Sequence, residues 1–148
     1  MMDVHNFIKL DDNFVDITKF KGKIKKLNCI DGAMLLTINY VDVIDISMWD
    51  SIDQLWIYIL NALIDFNEGN DVDFCFPDQP IKVIIKHVKN NVFFKVEESG
   101  VMVNKKQFML FMASSCLDFL KQLMAIEGAP DYGSEIKLAL HFIENLTS

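Results

Sequence analysis

Residues Met34–Gly69 read MLLTINYVDVIDISMWDSIDQLWIYILNALIDFNEG, and the apolar period changes once within them. Met34–Ser47 is rich in Ile, Val, Tyr and Thr, with Leu36, Ile38 and Tyr40 on one face. That is a strand pattern, or two pieces of one. Near Val41 the apolar phase slips, so that Val41 and Val43 oppose Ile44 and Ile46, and a bulge is expected there. From Asp50 onward the spacing is helical. Ile52, Leu55, Trp56, Ile59, Leu60, Leu63 and Ile64 form one stripe, with Ile57 and Tyr58 on a second face. Asp50 is expected to cap this helix, Asp53 to sit in its first turn and Gly69 to stop it.

On the N-terminal side, Phe7–Leu10 reads as a short strand closed by the turn cluster Asp11-Asp12-Asn13. Phe14–Phe20 and Lys23–Cys29 follow as strands, and Asp31-Gly32 reads as a turn. On the C-terminal side, Asp71–Phe76 is a strand ended by Pro77-Asp78-Gln79-Pro80. Ile81–Lys89 and Val92–Glu98 alternate on either side of Asn90-Asn91, which predicts a hairpin with its turn at those asparagines. Asn104-Lys105-Lys106-Gln107 fits a helix start. Phe108–Ile126 then presents Phe111, Met112, Ser115, Phe119 and Leu123. Gly128-Ala129-Pro130 breaks that helix, and a last one carries Ile136, Ala139, Leu140 and Ile143. The order predicts an α+β fold in one domain, residues 1–148, with a single antiparallel sheet and about three helices on one face.

Composition narrows the function. The chain has 148 residues, 51% hydrophobic and 24% charged, and a net charge of −7. This balance excludes a disordered tail or a fibre. All 14 basic residues are lysine. The lack of arginine forks and the negative charge weigh against nucleic acid as a partner. No apolar run approaches a membrane span, and the N-terminal residues have no signal-peptide pattern. Cys29, Cys75 and Cys116 share no short spacing and read as free thiols in a reducing cytoplasm.

No motif spells out a reaction. Asp71, Asp73 and Asp78 offer hard oxygens, but alternate strand positions point the same way by geometry alone, so a solvated face or partner contact is preferred to a metal. His5, His87 and His141 lack ligand spacing, and His87 belongs to the inward set of its strand. No cofactor is expected. Trp49 and Trp56 read mainly as core, with Trp49 alternatively an exposed anchor beside Asp50. Charge placement is the most informative feature. Between Leu27 and Ile81 there is no lysine, and ten acids fall there. A segment of that kind predicts a negative surface for a basic protein partner. The candidate partner-binding residues are Asp42, Asp45, Trp49, Asp50, Asp53, Asp71, Asp73 and Asp78.

In size, acidic stretch and the segments Trp49–Trp56 and Phe76–Pro80, the chain resembles the small acidic immunity proteins of bacterial toxin–immunity systems. The resemblance implies no catalysis, a cytoplasmic location and one cognate toxin, a nuclease among the options. The alternatives are a regulatory subunit that binds through apolar helices, and a small metal- or thiol-dependent enzyme.

Overall fold

The computed structural model describes residues 1–24 and 30–148. The strand expected at Lys23–Cys29 lies, beyond Ile24, outside the described residues, as does Cys29. The chain is α+β, but among the described residues the strands form two antiparallel sheets rather than one. In the first, β1 (Met2–Leu10) lies between β2 (Asn13–Asp16) and β3 (Asp31–Ile38), and β3 also pairs with β4 (Val41–Ile44) and the short β5 (Asp50–Ser51). The second is a meander of β6 (Val72–Cys75), β7 (Lys82–Val88), β8 (Asn91–Val96) and β9 (Ser99–Asn104). The two sheets come closest where β4 meets β8 and β9, and one apolar core runs through both. β9 gives the second sheet a terminal strand that the sequence reading did not include. Sequence reading passed over its Val101–Val103 alternation beside Gly100.

Three helices follow the expected order. α1 (Ile52–Asn67) and α2 (Lys105–Met124) pack on the strands, whereas the principal contacts of α3 (Gly133–Thr147) are with α1 and α2. Trp56 shows why α1 sits where it does. Its ring is fully buried and stacks on Phe119 of α2 with centroids 6.3 Å apart, and its Nε1–H donates to Asn6 Oδ1 of β1 at 2.8 Å. One side chain thus joins both helices to the first sheet, and its indole N–H is satisfied on burial. At the start of α2, Asn104 caps as its sequence predicts, Oδ1 accepting from Gln107 N–H at 3.0 Å. The buried faces of α2 and α3 are rotated from those expected. Cys116 and Leu120 are inside while Phe111 and Ser115 are half-buried, and Phe142 is inside where Leu140 was expected.

The turns lie at other residues than expected. Asp31-Gly32 is strand, not turn. A Cβ on Gly32 would lie 2.3 Å from the Phe7 carbonyl and 2.7 Å from Ile52 Cγ2, so this glycine permits close approach. The reversal lies instead at Asn39-Tyr40, both at positive φ (50° and 69°), which accounts for the apolar phase slip near Val41. A register shift in β3–β4 next to Leu36 adds the expected bulge. The hairpin of β7 and β8 forms, but Val88 pairs with Asn91, so its turn is Lys89-Asn90, one residue earlier than expected. Phe14–Phe20 is strand only to Asp16, whose side chain then caps a 3-10 turn at Ile17–Lys19.

Candidate partner-binding surface

The candidate acids divide into two groups with opposite surroundings. Asp50 and Asp53 are buried, 3% and 2% exposed. Asp50 does not cap α1. Its carboxylate accepts from the backbone N–H of Ser51 (2.6 Å), Asp78 (3.1 Å) and Gln79 (2.9 Å). It therefore fastens the Pro77–Gln79 turn to the start of α1, and Gln79 Nε2 adds a bond to the Trp49 carbonyl. Asp53 accepts from Ile30 N–H (3.3 Å), Ser51 Oγ–H (3.0 Å) and Tyr132 Oη–H (2.7 Å). It ties the entry of β3 and the start of α3 to the same corner. Burying a carboxylate is costly unless its oxygens meet donors, and these two meet three each. Neither carboxylate is presented to a partner, so both leave the candidate surface. Burial first, and then the bond and charge of Asp53, hold the Tyr132 phenol well above its ordinary value.

The remaining candidates reach the surface in two places. At the N-terminal end of α1, Asp45 is half-buried and caps the turn Ile46–Met48 through Ser47 N–H at 2.9 Å. Trp49 is 39% exposed, and the Lys9 ammonium lies 4.6 Å from its ring centroid. Asp78 is exposed on the turn whose Gln79 bonds the Trp49 carbonyl. On the outward face of the first sheet, Asp42 Oδ1 accepts from Thr37 Oγ1–H at 2.8 Å, and Asp3 is opposite Thr37 on β1. Asp71 follows the C-terminal end of α1, whose 16 residues measure about 24 Å, and Asp73 lies on β6, which returns alongside that helix. Asp71 Oδ1 accepts from His87 N–H at 2.9 Å, and Asp73 lies 3.7 Å from Lys82 across the β6–β7 ladder. Asp65 and Glu68 are exposed at the same end.

His87 closes that end of α1. Its ring stacks on Phe66 with centroids 3.8 Å apart, and Nε2 is 2.9 Å from the Phe66 carbonyl and 3.1 Å from that of Asn70. Since carbonyls only accept, Nε2 is the protonated nitrogen, satisfying the end of the helix. Cys116 is fully buried, and desolvation pushes its thiol up to about 12, which leaves it un-ionised near neutrality. Cys75 is exposed and free. Among the described residues no three His, Cys, Asp or Glu side chains are grouped to hold a metal ion, and no helix is long and apolar enough to cross a membrane.

Two surface features were missed by sequence reasoning. One is the extension onto β9, through Met102, of the outward face that Lys82, Ile84 and Lys86 on β7 and Phe93 and Lys95 on β8 begin. The Phe93 ring lies over Gly100, where a Cβ would come within 2.9 Å of it. The alternation of Ser99–Asn104 was the signal that would have revealed this face. The other is a groove of about 310 Å³ between α1 and β6, lined by Tyr58, Asn61, Ala62, Asp65, Val72 and Phe74. Nothing local marks it, because its walls come from different elements. No family model matches the chain, and no curated protein or solved structure matches it.

Proposed function

We propose that this protein is a non-catalytic binding protein for a basic protein partner, and that it acts as a cytoplasmic immunity protein against a cognate toxin domain. The observation that carries the reading is the fate of the lysine-free segment. With Asp50 and Asp53 withdrawn, Asp42, Asp65, Glu68, Asp71, Asp73 and Asp78 are exposed and Asp31 and Asp45 half-buried, with no basic residue of that segment among them. Exposed acids of this kind, of which among the described residues Asp73 alone has a lysine within ion-pair distance, speed encounter with a basic surface and select against acidic ones. Trp49 supplies a partly exposed aromatic side chain, a residue type that often anchors an interface, on the segment whose carbonyl accepts from Gln79, next to Asp78 in the chain. Because Asp50 fixes the turn bearing Asp78, little ordering cost remains at that corner on binding.

The test is to express the chain with any basic domain found encoded beside its gene and to measure association at low and high salt. Asp42→Lys/Asp78→Lys and Asp71→Lys/Asp73→Lys chains should associate at least tenfold more slowly while their melting temperatures stay near that of the wild type. Association that ignores salt and both double substitutions would remove the electrostatic mechanism. Failure of the adjacent product, and of any basic protein, to bind would remove the immunity reading.

A further inference from the structure

The edge of the second sheet specifies more than charge. β6 pairs with β7 alone, and no described strand takes its other side. Phe76 N–H donates to the Ile81 carbonyl at 3.0 Å, so Phe76 turns its backbone toward β7. In an antiparallel ladder alternate residues share that direction, which sends Val72 and Phe74 the same way. The backbone N–H and C=O of Asp73 and Cys75 therefore face the open edge. Edges of this kind are usually blunted by lysines, bulges or prolines. β6 has no lysine and is protected only by its four-residue length, the Asp73 carboxylate and Pro77 beyond its end.

The groove of about 310 Å³ adjoins this edge on the helix side. Its floor is Val72 and Phe74, and its far wall is Tyr58, Asn61, Ala62 and Asp65 of α1. Tyr58 is 42% exposed and meets Phe74 edge-on with centroids 6.3 Å apart. A strand laid along β6 would send alternate side chains into this space, which suits one or two aliphatic groups. The charges around it are of one sign. Neither α1 nor β6 contains a basic residue, while Asp65 lines the groove, Asp71 precedes β6 and Asp73 lies within it, on the face opposite Val72 and Phe74. Lys82 reaches Asp73 at 3.7 Å, but both side chains are more than half exposed, a weak contact that a ligand cation can replace.

We infer that β6 and the Tyr58–Phe74 groove take an extended, lysine- or arginine-bearing segment of the partner as a fifth strand. Its backbone pairs with Asp73 and Cys75, its aliphatic side chains enter the groove, and its cations, on the opposite face, meet Asp71 and Asp73. This is strand addition, with main-chain bonds for affinity and alternate side chains for selection. It rests on the reading above that the partner is basic, and adds where and in what conformation it binds.

The probe is a seven-residue peptide alternating lysine and isoleucine, added to the full chain and followed through its backbone amide resonances. Shifts should centre on Asp73 and Cys75, and their amides should exchange more slowly. The same peptide with glutamate for lysine, or methylated on alternate backbone nitrogens, should bind at least tenfold more weakly, as should the lysine peptide to a Tyr58→Ala chain. Equal binding by the glutamate peptide rejects the charge selection, and equal binding by the methylated peptide rejects strand pairing. No shift at millimolar peptide, or shifts centred on Lys86 and Phe93 instead, rejects the site. If a basic toxin domain binds with unchanged affinity to the Tyr58→Ala chain yet depends on Asp42 and Asp78, this inference fails while the immunity reading survives. If the peptide binds at Asp73 and Cys75 but no basic protein does, the groove stands and the immunity reading fails.

Discussion

Asp50 and Asp53 lie at one end of α1 and Asp71 and Asp73 follow the other in the chain, and in sequence the two pairs look alike. In the fold they do opposite work. The first pair is withdrawn from solvent and accepts six hydrogen bonds between its members from Ile30, Ser51, Asp78, Gln79 and Tyr132. The second pair keeps its side chains in water, with one bond from the His87 amide and one loose ion pair. The difference teaches that an acidic segment is not an acidic surface. A carboxylate goes inside where several backbone and hydroxyl donors converge on it, and stays outside where they do not.

The largest effect should come from Asp50→Ala. It leaves three amide donors, those of buried Ser51, half-buried Gln79 and Asp78, without their acceptor and frees the Pro77–Gln79 turn, at a cost of about 3 kcal/mol in urea unfolding. A loss under about 1 kcal/mol would place Asp50 with the surface acids and erase the contrast. Next is Tyr132→Phe, which removes one donor from Asp53 and should cost about 1.5 kcal/mol. A double-mutant cycle with Asp53→Ala should show that the two losses are coupled rather than additive.

The same tyrosine gives a pH dependence. Its pKa is raised in the folded state by burial and by Asp53, so its contribution is complete below about pH 10, where the unfolded phenol is still protonated. Above that pH the unfolded phenol ionises and the folded one resists, so stability falls. Cys116 acts in the same direction from its ordinary 9.0 up to about 12. Unfolding midpoints measured from pH 8 to 11 should therefore decline less steeply for Tyr132→Phe and for Cys116→Ala than for the wild type. A parallel decline in all three would show that other groups dominate.

Past the other end of α1 in the chain, Asp71→Asn/Asp73→Asn should change stability by no more than about 0.5 kcal/mol, as urea unfolding will show. A loss comparable to that of Asp50→Ala would mean that β6 depends on these acids, making them unsuitable as binding probes. The smallest expected effect lies at Asp16. Its pKa is lowered chiefly by the Thr18 hydroxyl bond, partly offset by burial. Its contribution is present above the ordinary carboxylate value and is lost as pH falls through the lower folded one. Replacing Thr18 by Val should make the acid limb slightly less steep below pH ~4.

Periodicity made much of the fold legible. The α1 stripe from Ile52 to Leu63 is buried, and the inward set Val83 and Ile85 opposes the exposed Lys82 and Lys86. The Asn104 cap is where its spacing predicts it. Each of these depends on residues within a few positions of one another, where helix or strand geometry alone decides which side chains meet. Turn placement was less legible, because Asn39, Tyr40 and Lys89 hold positive φ where Asp-Gly and Asn-Asn were the expected sites. In those cases strand pairing chose the reversal over local preference.

What the sequence determined by itself is therefore the α+β class, the helices and the inward faces of the central strands, together with the concentration of acids in one segment. Only the tertiary structure decided that the strands divide into two sheets, that a groove opens between α1 and β6, and which acids are inside. Asp50 meets the Asp78 amide 28 residues away and Asp53 the Tyr132 hydroxyl 79 residues away. The free energy of a carboxylate depends on the donors around it, and donors this distant along the chain are brought together only when the whole core has packed.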